Sequence, residues 1–343
     1  MNDYSTLDKI LHYLALQSVY MRRMAFDLDK MFGTSHQNQA LRPVYISGLA
    51  RAGTTILLQA LYSTGDFATL TYRNMPFVMA PRIWPRFTRR HRSRNEVKER
   101  AHNDRLKVSF DSPEAFEEVF WLTATEASFV KTDHLSPHQV PASELENYRE
   151  YIGGIIGDTQ KRYLAKNNNN ILRIKSLLNA YPDARIIVPF RNPVDHAHSL
   201  MGQHRHFKGL HVRDKFALRY MNWLGHFEFG SNFKPFDVGE FQWVSGADST
   251  LEFWLDYWNA VYEFLYRNHR DDVIFLDYDR LCAEPESSLG QLGDLLDMDS
   301  DRLRAFAPKI RNTSNYGAQS FDLPEQIEKL HKKLQQEGRR LIS

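Results

Sequence analysis

A single cysteine, Cys282, rules out an internal disulfide in this chain of 343 residues. No apolar run approaches the roughly 20 residues that cross a bilayer. The longest, such as 186–190 and 273–276, have the length of strands. No stretch joins a basic start, an apolar core and a small-residue cleavage site, so a cytoplasmic protein with no membrane span is expected. The charge is nearly balanced, 44 Lys and Arg against 42 Asp and Glu, and a net +2 does not mark a nucleic-acid protein. Apolar and charged fractions of 42% and 25% are those of a globular chain and exclude disordered and fibrous classes. No Gly/Ser- or Pro-rich linker and no internal repeat divides the sequence. The expectation is therefore one domain over 1–343, with an N-terminal helix at about 1–35 and a largely helical insertion at about 75–161 that covers the site.

What is present is uneven. Between Arg82 and Lys107 there are ten Lys or Arg against Glu96, Glu99 and Asp104. This segment reads equally as solvated surface or as an anion-binding face. Near the N-terminus Leu7, Ile10, Leu11, Leu14, Val19 and Met24 recur at near-helical spacing, which predicts an amphipathic helix. A β-rich run at 43–47 is followed by a glycine-bounded loop, Gly48 to Gly53, and a helical pattern at 54–62. Short apolar strands followed by helical patterns recur at 184–190 and 273–278. Such alternation predicts an α/β fold with a central parallel sheet flanked by helices.

The loop Gly48-Leu-Ala-Arg51-Ala52-Gly53-Thr54-Thr55 has two glycines at P-loop spacing between a strand and a helix. Backbone N–H groups can surround a phosphate there, at the helix N-terminus. Thr54 stands where an ATPase needs its phosphate lysine, which disfavours a nucleoside triphosphatase. The loop's charge is Arg51, which suits a 5′-phosphate without a metal. Further on, Arg191 ends a strand, Asn192 can cap a helix with Pro193 at its first position, and Ser199 lies about two turns along it. An Arg and a hydroxyl then converge at the C-terminal edge of the sheet.

These two segments resemble the sulfotransferases that use 3′-phosphoadenosine 5′-phosphosulfate (PAPS). The resemblance implies a P-loop-like sulfotransferase fold and transfer of a sulfonyl group from PAPS to an acceptor hydroxyl or amine, with no metal. It implies that Arg51, Ala52, Gly53, Thr54 and Thr55 hold the 5′-phosphosulfate, and that Arg191 and Ser199 hold the 3′-phosphate. Ile56 replaces the Trp that usually stacks on adenine. Tyr278, in a segment similar to the family's late strand, is either an adenine neighbour or a core tyrosine. Arg311 occupies the place of a basic loop over the 3′-phosphate, although the usual basic-basic-Gly form is missing from Lys309 to Gly317.

Sulfonyl transfer calls for a cation near the sulfonyl group and a base near the acceptor. Lys166 is the candidate cation, with an exposed loop lysine as the other reading. Where family members place a His after this Lys, Asn167 and Asn168 stand; where others place a Glu after the P-loop helix, the sequence is Thr71-Tyr-Arg-Asn74. The remaining acidic cluster is Glu114, Glu117 and Glu118, expected on one face of a helix start. Glu114 is the candidate base, with Glu117, Glu118, His102 and His204 as alternatives. Two other functions compete: a P-loop nucleotide or nucleoside kinase, and a non-enzymatic polyanion-binding protein acting through 82–107. The acceptor is a small metabolite or a glycan, and an anionic one if the basic segment recruits it.

Overall fold

A computed structural model of the chain describes residues 6–32, 42–88, 98–99, 107–108, 112–239, 241, 246–311 and 322–340. Its strands, in chain order, are β1 (Val44–Ile46), β2 (Phe67–Ala68), β3 (Lys98–Glu99), β4 (Lys107–Val108), β5 (Arg162–Lys166), β6 (Arg185–Phe190) and β7 (Ile274–Asp277). Five form one sheet in the order β2-β5-β1-β6-β7, and every pairing in it is parallel. The fold is thus α/β with a central parallel sheet, as the sequence pattern predicts.

Both faces are covered, which explains why the strands read as apolar runs. Val44, Ile46, Leu164, Ile187 and Leu276 pack to one side with Leu57, Leu61, Leu289 and Leu292 of the helices Thr54–Ser63 and Pro285–Leu295. Tyr45, Tyr163, Ile186, Val188 and Phe275 alternate to the other side. There they meet Phe120, Tyr148, Trp258 and Leu334 of the helices Glu118–Ala124, Ala142–Ile156, Leu251–His269 and Glu325–Arg340.

The N-terminal segment differs from its expectation. It forms two helices, Thr6–Leu16 and Val19–Met31, because Ser18 is extended (φ −96°, ψ 131°) and breaks the ladder. Leu7, Ile10 and Leu14 of the expected inward stripe are 66%, 50% and 48% exposed. The second helix is anchored by Phe26, fully buried in the core, and by a polar group: the buried Asp29 carboxylate accepts the N–H groups of Arg82 and Ile83, both at 2.9 Å. Within 75–161, the helices Trp84–Thr88, Glu118–Ala124 and Ala142–Ile156 are joined by the antiparallel pair β3 and β4, so this stretch is not all helix. Most of the basic segment, including Arg89, Arg90, Arg92 and His102, lies outside the described residues.

Candidate active site

The site lies along the C-terminal edge of the sheet, where parallel strands end and ligands bind in α/β folds. Register sets the order of the parts. Ile46 pairs with Lys166 on one side and Ile187 on the other, and Phe190 pairs with Asp277. Running from β7 to β2, the edge therefore presents Tyr278, Arg191, the loop at 48–53, Lys166 and finally the segment beyond β2.

The loop has the geometry of an anion cradle. Gly48, Arg51 and Gly53 take positive φ of 146°, 70° and 89°, and the helix Thr54–Ser63 starts with no side-chain cap. Its first N–H groups are left for a ligand. Ala52 and Thr54 are buried, while Thr55 is partly exposed. The carbonyl groups, by contrast, are taken up from behind. His196 donates from Nε2 to the Ala50 oxygen at 2.8 Å, and Arg191 donates from Nη1 to the Arg51 oxygen at 3.3 Å. Burial pushes the His196 pKa down to about 3, so the ring is neutral, and a proton on Nε2 fits its carbonyl partner. Nothing in the sequence marked His196 for this role.

Gly53 is required by the ring behind it. A Cβ there would stand 2.2 Å from Cδ2 and 2.3 Å from Cε2 of Tyr278. Tyr278 is 8% exposed and lies under the Arg191 guanidinium, 5.4 Å from ring centroid to Cζ. It packs against the loop at 48–53 and against Arg191 at once.

The two motifs meet directly. Arg51 Nε donates to Ser199 Oγ at 3.2 Å across 148 positions of sequence. Ser199 rides on the helix Pro193–Arg213, whose start is fixed as the sequence predicts: the Asn192 side chain accepts from Val194 and Asp195 at 3.0 and 3.3 Å, with Pro193 at the first position. Asp279 Oδ1 stands 3.9 Å from Arg191 Nε and its other oxygen accepts the Asn192 N–H. Burial raises Asp279 above the usual carboxylate range, against the pull of those two partners. Arg311 is exposed beside Cys282, whose thiol is 3.8 Å from the Arg311 carbonyl; residues 312–321 lie outside the described part.

Lys166 is 8% exposed at the end of β5, so it is a strand residue of the site edge and not a solvated loop lysine. β5 escaped the sequence reading because its ends, Arg162 and Lys166, are charged.

The acidic cluster is arranged differently from the expected helix face. The helix begins only at Glu118, and Glu114 lies ahead of it in irregular chain. An antiparallel bridge between Thr71 and Pro113 and a Glu114 N–H to Leu70 O bond of 3.1 Å hold that chain against the segment beyond β2. Glu114 is 6% exposed and its Oε2 accepts the Tyr72 hydroxyl at 2.8 Å. Glu117 and Glu118 are engaged in the core. Glu117 accepts from Trp121, Tyr148, Tyr163 and Asn170 at 2.9–3.0 Å. Burial and the Glu117 charge push the hydroxyls of Tyr148 and Tyr163 well up. Glu118 makes a two-pronged pair with Arg173 at 2.7 and 2.8 Å and accepts from Asn167 at 2.7 Å. His204, the other alternative, has both ring nitrogens occupied, by Asp248 Oδ2 at 2.9 Å and the Gly230 N–H at 3.3 Å.

The sequence profile of the sulfotransferase family matches residues 43–228, more than half of the chain, which takes in the loop at 48–55, Lys166, Arg191 and Ser199 but neither Tyr278 nor Arg311. The chain belongs to the sulfotransferase family. No curated protein matches it. Among solved structures it is similar to the sulfotransferase STF1 from Mycobacterium tuberculosis H37Rv, at 16% identity over 96% of this chain and 86% of that one, with a TM-score of 0.49. The sulfotransferase STF9 from Mycobacterium avium is similar at 13% identity over 99% and 86%, with a TM-score of 0.47. A sulfotransferase from Alicyclobacillus acidocaldarius follows at 15% identity over 88% and 94%, with a TM-score of 0.39. Among the described residues no helix is long and apolar enough to cross a membrane, and no group of three or more His, Cys, Asp or Glu could hold a metal ion.

Proposed function

We propose that this sulfotransferase takes PAPS as donor and moves its sulfonyl group to a hydroxyl or amine of a small molecule or glycan, in the cytoplasm and without a metal. The observation that carries this reading is the Arg51–Ser199 hydrogen bond together with the Arg191 bond to the Arg51 carbonyl. These bonds make one pocket from two anion motifs, as a nucleotide with phosphates at both the 5′ and 3′ positions requires. The uncapped helix start and the glycine cradle fit a 5′-phosphate, and Arg191 with Ser199 fits the 3′-phosphate.

In this reading the N–H groups of Gly53, Thr54 and Thr55 bind the 5′-phosphosulfate, with Arg51 and the threonine hydroxyls adding charge and hydrogen bonds. Tyr278 supports the nucleotide side, and Arg311 adds charge over the 3′-phosphate. Lys166, at the neighbouring strand end, neutralises charge that develops on the sulfonyl oxygens during transfer. Glu114 receives the acceptor's proton, reached through the Tyr72 hydroxyl that it already holds.

The test is a thermal-shift comparison. Adenosine 3′,5′-bisphosphate should raise the melting temperature by mass action, AMP and ATP should do so much less, and EDTA should change nothing. A larger shift with ATP and Mg²⁺ would replace this reading by a kinase.

A further inference from the structure

Glu228 has no counterpart among the residues the motifs single out, yet it stands at the same edge of the sheet. Asn168 follows Lys166 by two positions, and its backbone oxygen accepts the Ser47 hydroxyl at 3.3 Å, one residue before the loop begins. The Asn168 side chain donates from Nδ2 to Glu228 Oε1 at 3.0 Å. Two hydrogen bonds therefore connect the foot of the phosphate loop to this carboxylate, on the Lys166 side and away from Arg191.

The segment carrying Glu228 is anchored on both flanks. Asn169 donates to the Gly225 carbonyl at 3.0 Å, and His226 donates to the Ala115 carbonyl at 3.0 Å. Beyond it, the N–H groups of Gly230 and Ser231 are accepted by His204 and His211 at 3.3 and 3.1 Å. Gly230 makes this possible at φ 87°, where a Cβ would stand 2.4 Å from the His211 ring. These bonds fix the backbone, and the Asn168 amide fixes the carboxylate.

Glu228 itself is only partly buried, and among the described residues no Lys, Arg or His pairs with it. A carboxylate accepts up to about four hydrogen bonds, and Asn168 uses one. The Asn168 Oδ1 is likewise buried without a partner. Glu114, held by the Tyr72 hydroxyl in the segment beyond β2, is a second carboxylate on this side of Lys166.

We propose that Glu228, steadied by Asn168, selects the acceptor by taking the hydrogen-bond donors of a hydroxyl- or amine-bearing group and by repelling an anionic one. This deepens the sulfonyl-transfer reading and rests on it for the identity of the site. It also turns away from the anionic acceptor suggested by the basic segment, in which Arg82 is held by the buried Asp29 and Arg89, Arg90 and Arg92 lie outside the described residues.

The experiment uses three probes of one shape: benzylamine, benzyl alcohol and benzoate. Their binding to the full chain is followed by ligand-observed NMR, with and without adenosine 3′,5′-bisphosphate. Benzylamine and benzyl alcohol should bind, benzoate should not, and the stronger of the first two decides between amine and hydroxyl. Glu228→Gln should weaken benzylamine about tenfold or more, by loss of a charge-assisted contact, and benzyl alcohol less. Its melting temperature should stay near that of the wild type, since Gln still accepts from Asn168; Glu228→Asp serves if Gln does not fold. Equal signals from all three probes, no signal from any, or a benzylamine signal that survives the substitution would overturn the proposal. Failure of adenosine 3′,5′-bisphosphate to bind would sink the donor assignment separately, because the probes are also measured without it.

Discussion

Replacing Gly53 by Ala adds one methyl group to the glycine-bounded loop at 48–53, and its consequences can be worked out from the contacts around it. The residue sits at φ 89°, where an L side chain costs roughly 1–2 kcal/mol. The new Cβ would also lie 2.2 Å from the Tyr278 ring, well over 1 Å inside ordinary contact, taken as roughly 3.5–4.0 Å. Tyr278 is buried and Arg191 lies over it, so the ring cannot swing away without disturbing the guanidinium. Overpacking of this kind costs about 1–3 kcal/mol, for a total of about 2–5 kcal/mol. Urea unfolding would measure it, and calorimetric titration with adenosine 3′,5′-bisphosphate should show an affinity loss of about tenfold or more as the cradle shifts. The double variant Gly53→Ala, Tyr278→Ala separates the two causes. Relative to Tyr278→Ala alone, the added methyl should then cost only the roughly 1–2 kcal/mol of left-handed backbone. If Gly53→Ala kept wild-type stability and affinity, or if removing the ring brought no relief, the argument from the ring contact would be wrong.

Other expectations follow from the same geometry. Arg191→Ala should weaken adenosine 3′,5′-bisphosphate by about 2 kcal/mol or more, whereas Lys166→Ala should lower turnover and leave that affinity nearly intact; equal affinity losses would misplace Lys166. Glu118→Ala strands the Arg173 charge in the core and should destabilise by about 3–5 kcal/mol in denaturant titration, whereas Glu114→Gln should keep stability and depress kcat by about 10²-fold. A Glu114→Gln enzyme with normal kcat would remove it as the base. Burial holds His138, His196 and His204 at about 4, 3 and 4, below the ordinary value of 6.5. The unfolded chain then binds more protons between pH 6.5 and about 4, so stability should fall as pH drops through that window. Each histidine contributes up to about 1.4 kcal/mol per pH unit. Melting temperatures measured from pH 7 to pH 4.5 should show the decline, and a flat profile would contradict it.

The sequence by itself determined the parts whose geometry is local. The glycine-bounded loop, the Asn192 cap with Pro193 and the strands at 44–46, 185–190 and 274–277 stand where the pattern placed them. Each depends on backbone preferences and hydrogen bonds within a few residues. What only the tertiary structure decided is which polar side chains meet. Glu114, Glu117 and Glu118 are near-identical as neighbours in sequence, yet the first faces Tyr72, the second a ring of core donors and the third Arg173. Tyr72, Tyr148 and Arg173 lie 31 to 55 positions from the glutamates they meet, and no local rule brings them together. The same holds for Lys166, buried because a short strand with charged ends pairs with β1, and for Glu228, joined to Asn168 across 60 positions. A titratable group takes its role from its surroundings, and those are set by the packing of distant segments.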